Sequence, residues 1–344
     1  MLGSTRKIGL LAALLSTLVV AACSSGTTSS TPAGGEPLVV YSGRSEELVA
    51  PLFARFTEET GIAVSARYGD SAELAAQLIE EGDATPAQVY FSQDAGALGA
   101  VAAEGLLAPL PDGVAAGVPA QYQSTDGTWT GVTGRARVIA YAPDQVAADE
   151  VPSTVLELTD PRWRGQVGIA PTNASFQAFV TAMRRTEGEE ATKAWLEGLV
   201  ANDVQTYEKN GLILDAVDAG QVQLGLINHY YWYEKAAEVG ADAMRAKIAF
   251  MAPGDPGSLV NVAGVGVTGP AADNAYAAEF VAWLLTPAVQ QWFVENTYEY
   301  PLVAGVATAD GLPALESLSG PDVALADLAD LPGTLDLLAE VGLL

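Results

Sequence analysis

Short apolar runs that end in a turn and are followed at once by a helical pattern constrain this chain more than any other feature. Pro37-Leu-Val-Val-Tyr-Ser42 reads as a strand, Gly43 as a turn, and Ser45-Glu46-Glu47 as a helix start with acids in the first turn. Leu48, Leu52, Phe53 and Phe56 recur at helical spacing, and Gly61 closes the helix. Pro51 lacks an N–H to donate and predicts an irregular first turn. The cycle repeats: a strand over 62–68, a helix capped by Ser71 and ended by Gly82, a strand over 89–91 and a helix over 95–105. Strands alternating with helices predict a parallel sheet covered on both faces. In such sheets ligands sit beyond the carboxyl ends of the strands. Segments 42–45, 69–71 and 92–94 therefore face one crevice.

A second α/β unit begins at Val138-Ile-Ala-Tyr141, with strands over 167–170 and 224–227 and helices over 176–184 and 187–199. The same rule points to Tyr141, to Thr172 through Ser175, and to Asn228 through Tyr231. Val260 to Thr268 is a long β-rich run with Gly264 and Gly266 inside it, expected to cross back to the first lobe. The helices after Pro313, rich in Leu and Ala, are expected on the second lobe. The fold class is thus α/β, two lobes with a ligand cleft between them, joined by hinge strands. The first lobe is expected over 37–134 plus 261–310, the second over 135–260 plus 311–344.

The amino terminus carries a different signal. Arg6 and Lys7 precede an almost wholly apolar run, Ile8 to Ala22, which is short for a membrane span and ends in small residues. Residues 1–22 therefore read as a signal peptide. Val20-Ala21-Ala22-Cys23 resembles the bacterial lipobox, which implies lipidation of Cys23 and anchoring on the outer face of the cytoplasmic membrane. Residues 23–36, rich in Ser, Thr, Gly and Pro, read as a flexible tether. Cys23 is the sole cysteine, so the mature chain has no disulfide and no thiolate metal site. A mature body of roughly 300 residues buries enough apolar surface to do without them. After removal of Arg6 and Lys7, 14 basic side chains face 42 acidic ones, a net charge of −28. That balance disfavours nucleic acid and anionic lipid headgroups as partners.

Enzymatic signatures are missing. Gly-x-Ser-x-Gly, P-loop and His-Glu-x-x-His motifs do not occur, and His229 is the single histidine, placed for structural hydrogen bonding. The informative segment is Asn228-His229-Tyr230-Tyr231-Trp232-Tyr233. As bare sequence it fits an aromatic cluster at a strand-to-helix corner. Adjacent side chains on a strand or a helix diverge, so a turn at a strand's carboxyl end is what aims Tyr230 and Tyr231 at one point.

That segment resembles the di-tyrosine motif of the ferric-ion-binding proteins that serve bacterial iron ABC transporters. The likeness extends to Val40-Tyr-Ser-Gly-Arg44, Thr60-Gly61-Ile62, the stretch 87–110, Gly134-Arg-Ala-Arg-Val-Ile-Ala-Tyr141 as hinge, Trp163-Arg-Gly165 and Tyr300-Pro301-Leu302. It implies a type II periplasmic-binding-protein fold, ferric iron as transported ligand, and delivery by a monomer to a permease and its ATPase. One branch of the family uses a histidine and a glutamate from the first lobe. Here those positions read Ser45 and Gln93, so the resemblance is to the tyrosine-rich branch, in which carbonate or another small anion completes the shell. It implies Tyr141, Tyr230 and Tyr231 as ligands, and Arg44, Arg135, Asn173 and Ser175 around the anion. Arg137 shares a strand face with Arg135 by the period of two, and Gln93 and Asp94 are further candidates for reaching the metal. Ferric ion, small and triply charged, prefers anionic oxygen, and a nearby multivalent cation favours the phenolate. Two other readings stay open at this stage: a binding protein for another solute (a phosphonate, a polyamine or a thiamine-like compound), and a cell-surface hydrolase using acids near His229.

Overall fold

The computed structural model describes residues 35–344. The signal segment, Cys23 and most of the tether lie outside the described residues. Among the described residues no helix is long and apolar enough to cross a membrane.

The first lobe opens as the alternation predicts: β1 (Leu38–Ser42), α1 (Glu46–Thr60), β2 (Val64–Tyr68), α2 (Ser71–Glu81), β3 (Val89–Ser92) and α3 (Ala95–Ala103). Gly61 adopts the left-handed conformation, φ 77°, that ends α1 without a Cβ penalty. The helix runs unbroken through Pro51. Asp70, not Ser71, is the residue preceding α2, because the Ser71 hydroxyl accepts from Gln93 N–H at 2.9 Å and ties α2 to the end of β3.

A short β4 (Leu107–Ala108) leads to β5 (Trp129–Tyr141), the long strand of the molecule. The second lobe follows with β6 (Val167–Ile169), α4 (Ala174–Thr186), α5 (Glu189–Ala201), β7 (Gln205–Thr206), α6 (Asn210–Asp218), β8 (Leu224–Asn228), α7 (Tyr230–Val239) and β9 (Lys247–Ala249). The chain returns through β10 (Val260–Thr268), α8 (Ala275–Leu284), α9 (Pro287–Thr297) and β11 (Tyr300–Pro301), and ends in α10 (Leu331–Glu340).

Strand order is β2-β1-β3-β10-β5-β8-β6-β7. β5 belongs to both sheets. Its first part, through Ala136, pairs antiparallel with β10, and Arg137 to Tyr141 pair antiparallel with β8. β10 was expected to cross between lobes as well, yet all its pairings, with β3, β4 and β5, lie in the first sheet. Its glycines have a packing reason instead. A Cβ at Gly264 would lie 2.7 Å from Leu98 Cδ1, one at Gly266 would lie 2.9 Å from Leu107 Cδ1, and the register shifts between Ala263 and Gly264. Glycine here lets α3 and β4 approach a bulged strand.

One apolar core fills the first lobe, from Leu38 through Phe56, Phe91 and Val262 to Phe280 and Phe293. Two others cover the faces of the second sheet, one around Ile139, Phe176, Phe179 and Trp195, the other around Val138, Ile213, Val217 and Ile227. The carboxyl-terminal segment divides between lobes, against the expectation that it packs on the second alone. Leu325 and Leu328 join the first core, whereas Leu337 and Leu338 of α10 join the second. α10 is held to α4 by Thr181 to Thr334 at 2.6 Å and Arg184 to Asp330 at 2.7 Å.

β8, which delivers the chain to the cleft, is packed tightly under α6. A Cβ on Gly225 would lie 2.4 Å from Ile213 Cγ2 and 3.1 Å from Val217 Cγ2. Gly225→Ala is therefore expected to lower stability by about 1–3 kcal/mol, the range for overpacking a filled core. Urea denaturation checks it: the midpoint should fall with the slope unchanged.

Candidate ligand cleft

The carboxyl ends of β1, β2 and β3 meet those of β6 and β8 across a cavity of about 620 Å³. Gly43, Arg44, Ser45, Gly69, Asp70 and Gln93 line it from the first lobe, and Thr172, Asn173, Glu208, Lys209 and Tyr231 from the second. The crevice rule thus gathers most of the segments it named. Glu208 and Lys209 were not foreseen, since they precede α6 in a stretch without local pattern.

Tyr230 and Tyr231 form the first turn of α7, directly after β8 and His229. Their rings stack at 4.3 Å between centroids. Tyr230 is buried at 1% exposure, and Tyr231 is half-buried at the cleft wall. The corner is fixed by His229, which is fully buried. Its backbone N–H donates to Ala136 O at 3.0 Å, Ala136 N–H donates to Nδ1 at 3.1 Å, and Nε2–H is left to donate to Tyr298 O at 2.9 Å. Those bonds assign the tautomer. The structural role expected of this histidine is the one its bonds describe.

Tyr298, at φ 55°, is one of two non-glycine residues in left-handed conformation among the described residues. That turn leads into Glu299, which is wholly buried. Glu299 accepts two bonds from Arg44, Nη1 and Nη2, each at 2.9 Å, and a third from the Thr297 hydroxyl at 3.0 Å. Arg135 Nε lies 3.7 Å from the same carboxylate. No hydrogen-bond partner meets any of the three Arg135 nitrogens, although the residue is 1% exposed. Arg137 bonds Ser175 Oγ and Leu226 O, both at 3.3 Å, and its guanidinium lies over the rings of Phe176 and Phe179.

Three guanidiniums are thus buried here: Arg44 pairs with Glu299 and Arg135 lies beside it, while Arg137 is held by Ser175 and the Leu226 carbonyl. Burial pushes the Tyr230 hydroxyl well above the usual tyrosine range, against the pull of Arg44 and Arg135. Burial also lowers Arg135, with Arg44 adding repulsion, and brings Arg137 down to about 9. Arg44 goes up: Glu299 and the two tyrosines outweigh the cost of its burial. Glu234, one turn beyond the tyrosines on α7, is pushed up to about 8 by burial first and by Glu299 second, with Arg44 opposing.

Three residues named from the sequence are placed otherwise than expected. Tyr141 pairs with Leu224 and Lys247 and packs beside the second-lobe core. β5 runs antiparallel to β8, so its carboxyl end lies at β8's amino end, four residues or about 13 Å from Asn228 and outside the cleft lining. Arg44 reaches the cleft, but its fork is taken by Glu299. Ser175 is buried, its hydroxyl accepting from Arg137 and from Asn210 Nδ2 and donating to Asn173 Oδ1. Asn173 lines the cleft while its Oδ1 caps α4. Gln93 faces the cleft, and Asp94 is buried as the cap of α3. Glu299 and Glu234 escaped the sequence reading. The first pairs with a residue 255 positions away, and the second is signalled only by its spacing of three and four from the tyrosines.

Two outcomes follow. Glu299→Gln leaves Arg44 and Arg135 uncompensated, and should cost about 3–5 kcal/mol of stability, as breaking a buried ion pair from one side does. Chemical denaturation at low and high salt measures it. His229, held neutral by burial, falls to about 4 from an ordinary 6.5. The unfolded chain therefore takes up this proton first, so its stabilisation is complete above about pH 6.5 and is lost as pH falls toward 4. That amounts to roughly 3 kcal/mol at about 1.4 kcal/mol per unit. The melting temperature of His229→Gln should be less sensitive to pH over that interval than that of the parent protein.

Comparison with known proteins places this geometry. Residues 85–322 match the family described as bacterial extracellular solute-binding protein. The chain is 34% identical to the Fe(3+)-binding periplasmic protein of Serratia marcescens, over 89% of this chain and 90% of the relative. It is 32% identical to the major ferric iron-binding protein of Neisseria meningitidis serogroup B, over 92% and 96%. Among solved structures, iron-bound HitA from Pseudomonas aeruginosa superposes with a TM-score of 0.85 at 33% identity, covering 89% of this chain and 99% of that one. Apo ferric ion-binding protein A from Pasteurella haemolytica gives 0.80 at 25% identity, over 90% and 98%. With a two-lobed α/β fold of the type II periplasmic kind and relatives matched along nearly their whole length, this chain belongs to the bacterial extracellular solute-binding protein family.

Proposed function

We propose that this protein captures ferric iron outside the cytoplasmic membrane and presents it to the permease and ATPase of an ABC importer. One observation carries the reading: two stacked tyrosines at a strand end, on the wall of an interlobe cleft, above a buried excess of positive charge. The names of the Serratia and Neisseria relatives support the choice of cargo.

The chemistry is that of a hard cation on anionic oxygen. Tyr230 and Tyr231 bind as phenolates and release their protons to solvent, because a trivalent cation strongly stabilises that form. Arg44 and Arg135 already favour the ionised form of Tyr230. The same guanidiniums leave the floor of the cleft electropositive, so the ion arrives with a small anion such as carbonate. Arg135, with three partnerless nitrogens, is the group that takes it, and Asn173 lines the cleft from the second lobe. Arg44 serves that anion indirectly by holding Glu299. Ligand contacts from both lobes favour the closed form, and β5, shared by the two sheets, is the strand about which closure turns. A diacylglyceryl group on Cys23 keeps the monomer at the membrane, next to its permease.

Purified protein given ferric salt and bicarbonate is expected to turn orange to red through phenolate-to-iron charge transfer. Tyr231→Phe should lose most of the band and at least tenfold in affinity, measured by competition with citrate. A colourless mixture, together with a thermal shift produced by a phosphonate or a polyamine, would replace iron with another solute.

A further inference from the structure

The tyrosine pair supplies two anionic oxygens, and Tyr141 lies too far along β5 to supply a third. Among the carboxylates near the pair, Glu299 is already committed to Arg44, and Asp94, whose Oδ1 accepts from Ala97 N–H and whose Oδ2 is without a partner, sits at the start of α3 in the first lobe under the influence of Arg135 rather than on the helix of the pair. Asp70, Glu73 and Glu208 line the cleft as exposed side chains. Glu234 is different in both position and circumstance.

Its position follows from helix geometry. At about 100° per residue, Glu234 projects roughly 40° from Tyr230 and 60° from Tyr231, between the two. It lies one turn further along α7, helical side chains lean toward the amino end, and the charges of Glu299 and Arg44 both act on its carboxyl. Its circumstance is a missing partner. Oε1 is buried and accepts no hydrogen bond, and no cation forms a salt bridge with the group among the described residues. Buried polar atoms without partners are rare and costly, so this one points to a ligand that supplies what the chain does not.

Resting on the ferric reading, we infer that Glu234 is a third protein oxygen for the cation held by Tyr230 and Tyr231. Two phenolates and one carboxylate match the ion's three positive charges, all from the first five residues of one helix. A carboxylate is also a hard donor of the kind ferric ion prefers. The arrangement places a residue of α7 in the role that the resemblance gave to Tyr141.

The test uses full-length protein with ferric salt and bicarbonate, comparing the parent with Glu234→Gln, Glu234→Asp and Tyr231→Phe. With Gln at 234 both phenolates remain, so colour persists, but the band should move to longer wavelength because the ion has lost an anionic donor. Affinity against citrate should fall at least tenfold. Glu234→Asp should recover part of both, which a purely structural role would not predict. If the Gln protein does not fold, Glu234→Ala takes its place in the same comparison. A Gln protein with the parental band maximum and an affinity within twofold overturns the inference and leaves the ferric reading intact. A colourless parent protein overturns the ferric reading itself.

Discussion

The bidentate pair between Arg44 and Glu299 is the interaction on which the cleft depends. It joins the turn after β1 to the turn before β11, 255 residues apart, and both partners are buried. A buried pair of this kind adds little net stability, since desolvation offsets most of the attraction. Its value is positional. It holds in place two charges that act on Tyr230, and it leaves Arg135 and Arg137 as positive charge without a full complement of acids. That imbalance makes the site receptive to phenolate and to small anions, although the chain as a whole is strongly acidic.

The tyrosine corner depends in turn on groups with no ligand role. His229 bonds Ala136 of β5 and the carbonyl of Tyr298, so the hinge strand, the helix that carries the tyrosines and the turn that carries Glu299 share one fully buried ring. A neutral imidazole suits this because it both donates and accepts. The left-handed Tyr298 is strain of the kind that persists where surrounding contacts over-determine it, and here those contacts are His229, Tyr233 and Glu299.

Local pattern in the sequence made much of this legible. The alternation of strand and helix and the glycine that ends α1 follow from periodicity and turn chemistry, and so do the segments 42–45, 69–71, 92–94, 172–175 and 228–231, each of which puts at least one residue on the cleft wall. Tyr230 and Tyr231 were visible because they stand at a strand's carboxyl end. What stayed hidden required strand direction or distant pairing. Tyr141 also ends a strand, but only the topology shows that β5 runs against β8 and carries it away from the cleft. The glycines of β10 look the same on paper in a crossing strand and in a bulged one. Arg44 reads as a free fork until the chain closes on Glu299.

The last stretch of chain has a consequence for the order of assembly. The first lobe's core is incomplete until β10, α8 and α9 are in place, and Leu325 and Leu328 arrive later still. Contacts so remote in sequence form slowly, since a long loop must close before they give any return. The amino-terminal half of this polypeptide is therefore obliged to wait, unfinished, for its own final residues.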